Sequence, residues 1–357
     1  MKIGSSGLKS LPPQKIISSS TVPSGVKSRV SGGKDLAEIG DKIPPERNPI
    51  RPQASRRSSR PHPWETRGVN PVTMTGVDKA RQAYGLTGEG VTVAVIDSGF
   101  DSKMGEPDIW QDFGEGCLKP VDHVGHGSEV AGLVKQVAPK AGIAALKVSQ
   151  IMVDEKTGEK QDRVADSSIV KALQWTIENS ERYNIKVINI SLSFDGKRKG
   201  FSAVDQALQK AVKAGITVVA IAGNFGPQPD TLTVPGDLPE VLTVGAARDQ
   251  NHVSSLSGRG GNGKPDLVAP GENLHAPFSH DLIKGTSYAA PVVAGITALM
   301  NEARSDISPD QVKRLLTQTA SPLDKKYGPE AQGAGMVDAK AALDKLMKDS
   351  EKAKNND

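Results

Sequence analysis

Val91 to Gly99 reads VTVAVIDSG, and this stretch decides the fold. Six residues rich in Val and Ile, with no charged break, are too few for a helix and suit a strand covered on both faces. Asp97 and the turn residues Ser98-Gly99 follow at once, which places a carboxylate at a strand tip. Runs of the same kind recur as IAALKV (143–148), KVINISL (186–192), ITVVAIA (216–222) and VLTVGAA (241–247). Helical patterns lie between them at 170–183 and 203–214, and three more follow at 287–303, 309–319 and 337–348. Ser308 and Pro309 serve as cap and first residue of the second of these. Strands alternating with helices predict an α/β fold, a parallel central sheet flanked by helices on both faces.

Outside this region the character of the chain changes. Residues 1–75 carry 13 basic and 5 acidic side chains, whereas the remainder carries 32 and 36. The basic excess therefore belongs to the N-terminal extension, residues 1–73, whose Ser-, Pro- and Arg-rich stretches such as PIRPQASRRSSRPHP (49–63) have no apolar periodicity. Such composition cannot bury a face, and the extension is expected to be disordered. It lacks the apolar core of a secretory signal, and no run reaches the roughly 18 apolar residues of a membrane span. A cytoplasmic location is the expectation. The charged end, residues 347–357, is expected to fray. The single cysteine, Cys117, excludes an internal disulfide, and its FGEGCLKP setting (113–120) offers neither a helix start nor a base.

In a parallel sheet the chemistry collects at the carboxyl ends of the strands. Asp97 is one candidate there. His126 is a second: in GHGSEVAGLV (125–134) it stands between two glycines at what looks like a helix start. Asn224 closes ITVVAIAGN (216–224). Ser287 opens the small-residue helix of KGTSYAAPVVAGITALM (284–300). Each alone has an ordinary reading as a turn Asp, a loop His, a turn Asn and a helix cap. A buried helix start beside Asp, His and Asn loops makes chemical sense if the hydroxyl is a nucleophile and the helix dipole favours a developing anion.

In this order the motifs resemble the subtilase family of serine proteases. The likeness runs from about Met74 to Leu346, through GLTGEGVTVAVIDSG, HGSEVAG, VINISLS, AIAGN, LPEVLTVGAA, KPDLVAPG, GTSYAAP and GAGMVDAKAAL. The resemblance implies a serine endopeptidase in which Ser287 attacks the scissile carbonyl, His126 is the base and Asp97 orients it. It also implies an oxyanion hole formed by Asn224 and the Ser287 N–H. Ser191, Leu192 and Ser193 on one side, and Ala222, Gly223 and Phe225 on the other, would form the walls that hold an extended protein or peptide substrate. Phe225 is expected near the base of the pocket, favouring apolar side chains there.

Several positions depart from the family pattern. Glu129 stands where a second His is common, Tyr288 where Met is common, and Ser193 where Gly is usual. VAGLVKQVAPKAGIAALKV (130–148) runs from helix to strand without the longer loop that wraps calcium in many members, so no cofactor and no strong calcium site are expected. The acidic segment VDEKTGEKQDRVAD (153–166) offers Asp154, Glu155, Glu159, Asp162 and Asp166 as alternative oxygen ligands. Its interleaved Lys156, Lys160 and Arg163 favour a solvated loop instead. No membrane or nucleic-acid partner is expected, though the basic extension suits contact with an acidic one. The competing readings are a silent subtilase-like scaffold and an esterase of another fold. The second lacks its nucleophile-elbow glycines around Ser287.

Overall fold

The computed structural model describes residues 68–153, 160–193, 200–277, 279 and 281–356. The extension through residue 67 lies outside them, as do Asp154, Glu155, Lys156 and Glu159.

Seven parallel strands form the central sheet. They are β1 (Thr92–Asp97), β2 (Ile109–Asp112), β3 (Gly142–Lys147), β6 (Ile185–Ile190), β7 (Thr217–Ile221), β8 (Leu242–Ala247) and β9 (Leu267–Pro270), in the spatial order β2-β3-β1-β6-β7-β8-β9. The apolar reading of the central strands follows from this position, because alternate residues enter two different cores. Val93 and Val95 of β1 pack beneath helices α3 (His126–Val137) and α6 (Thr286–Ala303). Ala94 and Ile96 pack beneath α4 (Asp166–Asn179) and α5 (Ala203–Lys213). The first core also takes in α2 (Val77–Tyr84), α7 (Pro309–Thr319) and α9 (Ala339–Asn356), and α8 (Pro329–Gln332) is a single turn.

The chain passes from β1 to β2, on the β3 side of the sheet, but from β6 to β7 on the other side, so connections diverge between β1 and β6 and open a crevice at their carboxyl ends. Asp97 closes one of the two strands and Ser191 follows the other.

Four expectations are corrected. Residues 68–73 belong to the folded unit: Val69 pairs with Leu274, its N–H donates to Asn273 O at 2.6 Å, and Asn70 caps α1 (Pro71–Met74) through Oδ1. At the other end α9 runs on to Asn356 instead of fraying near residue 347, because Met, Lys, Ala and Glu favour a helix and no Gly or Pro interrupts them. The acidic segment is not simply a loop. Val153 ends β4 (Ser149–Val153), and residues 160–164 form β5 (Lys160–Val164), antiparallel to it with Asp162 opposite Ile151. The helix expected at 170–183 begins earlier, at Asp166, and ends at Asn179.

Candidate active site

Asp97 is the last residue of β1 and is 1% exposed. Its Oδ1 accepts the Ser98 N–H at 2.7 Å and the His126 Nδ1–H at 2.7 Å. His126 is the first residue of α3, where Gly125 provides no side-chain cap. Asp122 supplies the missing acceptors. Its Oδ1 takes the N–H of Val124 at 3.1 Å and of Gly125 at 2.8 Å, and its Oδ2 takes the N–H of Ser128 at 2.9 Å. The Ser98 hydroxyl links the two sides, donating to Asp122 Oδ1 at 2.9 Å and accepting from the Gly127 N–H at 2.9 Å. A Cβ at Gly127 would lie 2.4 Å from Gly99 O, so only glycine lets the helix start approach the β1 turn this closely.

This framework leaves an imidazole of defined tautomer. Nδ1 is committed to Asp97, and Nε2 is buried without a hydrogen-bond partner among the described residues. Burial is the largest influence on the His126 pKa and pulls it down. The charge and hydrogen bond of Asp97, with contributions from Glu129 and Asp122, outweigh it and leave the pKa above its ordinary value.

Ser287 is the second residue of α6, a helix whose first sixteen residues are all buried. Asn224 caps this helix from outside: its Oδ1 accepts the Thr286 N–H at 2.8 Å and the Thr286 hydroxyl at 2.9 Å. A backbone N–H can be met only by the carbonyl end of the amide, so the Asn224 NH2 group is turned away from Thr286. Pro291 lies inside α6 and lacks the N–H that would bond the Ser287 carbonyl four residues earlier. Ser191 substitutes for it, donating Oγ–H to Ser287 O at 2.8 Å, and is itself held by Asn189 Nδ2 at 2.9 Å. The Ser287 hydroxyl in turn donates to Ser191 O at 3.3 Å.

The residues proposed as substrate walls differ in what they present. The Ser191 hydroxyl faces α6, and Leu192 packs into the core beneath α4 and α5. Ser193 is buried. The Ala222 N–H and C=O and the Gly223 C=O are engaged by Val244, Thr233 and Gly258, so this segment contributes shape rather than backbone pairing. Gly223 has φ +91°, and a Cβ there would lie 2.5 Å from Thr233. Phe225 is 47% exposed, contrary to its expected place at a pocket base. The reason is local: beyond β7 the chain turns, Gly226 is held by Leu256 O, and the Phe225 side chain is left at the surface.

Sequence reasoning passed over Asp122, Thr286 and Asn189. An Asp just ahead of a glycine-flanked helix start is a capping signal that would have found the first; the other two act through contacts made only on folding. Cys117 stays outside this chemistry, since burial pushes its thiol up and the neighbouring Asp112 adds to the shift.

A family model described as the subtilase family matches residues 88–335. The chain belongs to the subtilase family. It is 32% identical over 314 residues to serine protease AprX of Bacillus subtilis (strain 168), covering 74% of this chain and 68% of that protein. To subtilisin of Bacillus pumilus it is 32% identical over 273 residues, covering 74% and 94%. The structure is similar to that of a lanthipeptide protease, with a TM-score of 0.62 at 26% identity, covering 77% of this chain and 94% of that one. This subtilase is thus a subtilisin-like serine endopeptidase acting on peptide substrates, with the parallel sheet of that fold. Among its described residues no helix is long and apolar enough to cross a membrane.

Proposed function

We propose that this subtilase hydrolyses peptide bonds through Asp97, His126 and Ser287. Ser287 Oγ attacks the scissile carbonyl as its proton passes to His126 Nε2, and the new C–O bond places the carbonyl electron pair on the oxygen. Asn224 Nδ2 and the Ser287 N–H donate to that oxyanion at the positive end of α6. Collapse of the intermediate expels the amine, which takes the proton from His126, and water releases the acyl group by the same steps.

One observation carries the reading: His126 holds Asp97 through Nδ1 at 2.7 Å while its buried Nε2 has no hydrogen-bond partner among the described residues. An unsatisfied buried nitrogen costs about 1–3 kcal/mol and calls for an explanation, which a proton-accepting role at this position supplies. Substrate would lie extended between the Ser191–Ser193 segment and the Ala222–Gly223 segment, with its side chains choosing the pocket.

The same reading has no role for a strong calcium site. Residues 138–141 join α3 directly to β3, and Ala141 O is already taken by Lys135 Nζ at 2.8 Å. Asp112, Glu115 and Cys117 come together elsewhere. There the Asp112 oxygens accept three backbone N–H groups, and Glu115 accepts the Ile151 N–H and pairs with Lys147 at 3.2 Å.

Steady-state kinetics on Asn224→Ala test the oxyanion assignment. The expected result is a fall in kcat of roughly 10² to 10³ with the fold intact, the size known for the equivalent loss in subtilisin itself. Wild-type kcat in this variant would remove Asn224 from the mechanism.

A further inference from the structure

Glu129 and Tyr288, the two motif positions that depart from the family pattern beside His126 and Ser287, meet in the folded protein. The Tyr288 hydroxyl donates to Glu129 Oε2 at 2.7 Å. Glu129 lies three residues after His126 on α3, so the two share a helix face. Tyr288 follows Ser287 on α6 and is fully buried, packed with Leu133, Leu274, Ile283 and Val69. Its ring lies 5.5 Å from the His126 ring at an interplanar angle of 50°, a tilted aromatic contact. One hydrogen bond therefore ties the helix that carries the base to the helix that carries the hydroxyl, and the aromatic half of the pair leans on the imidazole.

We propose that Glu129 and Tyr288 form a positioning pair for His126, fixing its ring against Asp97 and adding a negative charge that favours the imidazolium. The inference rests on the reading of His126 as the general base. Tyr288 cannot swing away without leaving its apolar packing, and its hydroxyl holds the Glu129 carboxylate across the interface between α3 and α6. The titratable groups around His126 are Asp97 at the end of β1, Asp122 ahead of α3, Glu129 on α3 and Tyr288 on α6. The three carboxylates act in one direction, and Asp97 is the strongest of them. A proton arriving on Nε2 is thus stabilised from two sides, by Asp97 through Nδ1 and by Glu129 from the same helix. Ring orientation matters as well, because small misplacements of a base are expensive in rate.

The test measures the His126 pKa directly, by NMR titration of the imidazole in the full chain carrying Ser287→Ala, with and without Glu129→Gln. Glu129→Gln keeps an acceptor for Tyr288 but removes the charge, and the His126 pKa is expected to fall by on the order of half a unit or more. Glu129→Asp, which keeps the charge, should restore most of that loss. In the chain with Ser287 intact, the acid limb of the kcat/KM profile should move to lower pH in Glu129→Gln, because the base stays neutral in more acid solution. Tyr288→Phe keeps the ring and deletes the hydroxyl; kcat should fall about threefold to tenfold with KM unchanged. A His126 titration that does not move in Glu129→Gln overturns the electrostatic half of the pair, and wild-type kcat in Tyr288→Phe overturns the orienting half. Either result is distinct from failure of the triad reading, which would appear as activity surviving Ser287→Ala.

Discussion

Ser191 donates its hydroxyl to the Ser287 carbonyl at 2.8 Å, the carbonyl that Pro291 leaves without its helical N–H. The strand end and the start of α6 are thereby fixed to each other through Ser287, the proposed nucleophile. Ser191→Ala should leave that buried carbonyl unsatisfied, at a cost of about 1–3 kcal/mol. Thermal melts and kinetics together check this: lower stability accompanied by lower kcat is expected, and unchanged values of both would show that the bond is incidental.

Asp162 on β5 gives a pH dependence of opposite sign to most carboxylates. Its pKa is pushed up to about 6, chiefly by burial, with the Ser149 hydrogen bond and Lys147 opposing the shift and Asp97 and Asp122 adding to it. A carboxyl whose folded pKa exceeds its unfolded value contributes stability that is complete below the unfolded pKa and lost as pH rises through the folded one. The group is partly exposed, so the effect is reduced to on the order of 1 kcal/mol. Asp162→Asn should therefore melt higher than the parent chain at pH 7.5 and about equal to it at pH 4. A variant that melts lower at pH 7.5 would contradict the assignment.

The strands that were legible in the sequence are the central ones, β1, β3, β6, β7 and β8, because a strand covered on both faces must be apolar throughout. Those missed lie at the margins. β2 is only partly buried and carries Gln111 and Asp112, β9 is four residues ending in Pro270, and the charges of β5 disguise half of a hairpin. At the candidate site, the places of Asp97 at a strand tip and of His126 and Ser287 at helix starts were readable, while their grouping with Asn224 came from the family resemblance. The Ser191–Ser287 bond and the Glu129–Tyr288 bond were not, since each joins segments about a hundred residues or more apart through side-chain orientation that no local pattern encodes.

The packing of residues 68–73 sets where the chain can be shortened. A chain beginning at residue 68 should keep a cooperative melt and full activity. One beginning at residue 76 loses the Val69–Leu274 bridge and the buried Pro71, and should melt lower by several degrees, at roughly 2–4 °C per kcal/mol. Equal melting of the two chains would show that this segment adds nothing, and an insoluble longer chain would show that residues 1–67 assist folding.

Melting curves recorded in excess chelator and in millimolar calcium should nearly coincide. A strong site saturated a hundredfold over its Kd adds about 2.7 kcal/mol, which corresponds to a shift of about 5–10 °C in a domain of this size. A calcium-dependent rise of that size would mean that a strong site exists.

The central claim is that Ser287 is the nucleophile and His126 its base. Covalent labelling with a fluorophosphonate, followed by peptide mapping, tests it most directly. The expected result is one adduct on the Ser287 peptide, much reduced in His126→Ala and absent in Ser287→Ala, with casein hydrolysis by Ser287→Ala down by on the order of 10⁶, the loss known for subtilisin itself. An adduct on another residue, or casein hydrolysis that persists at a comparable rate in Ser287→Ala, would contradict it.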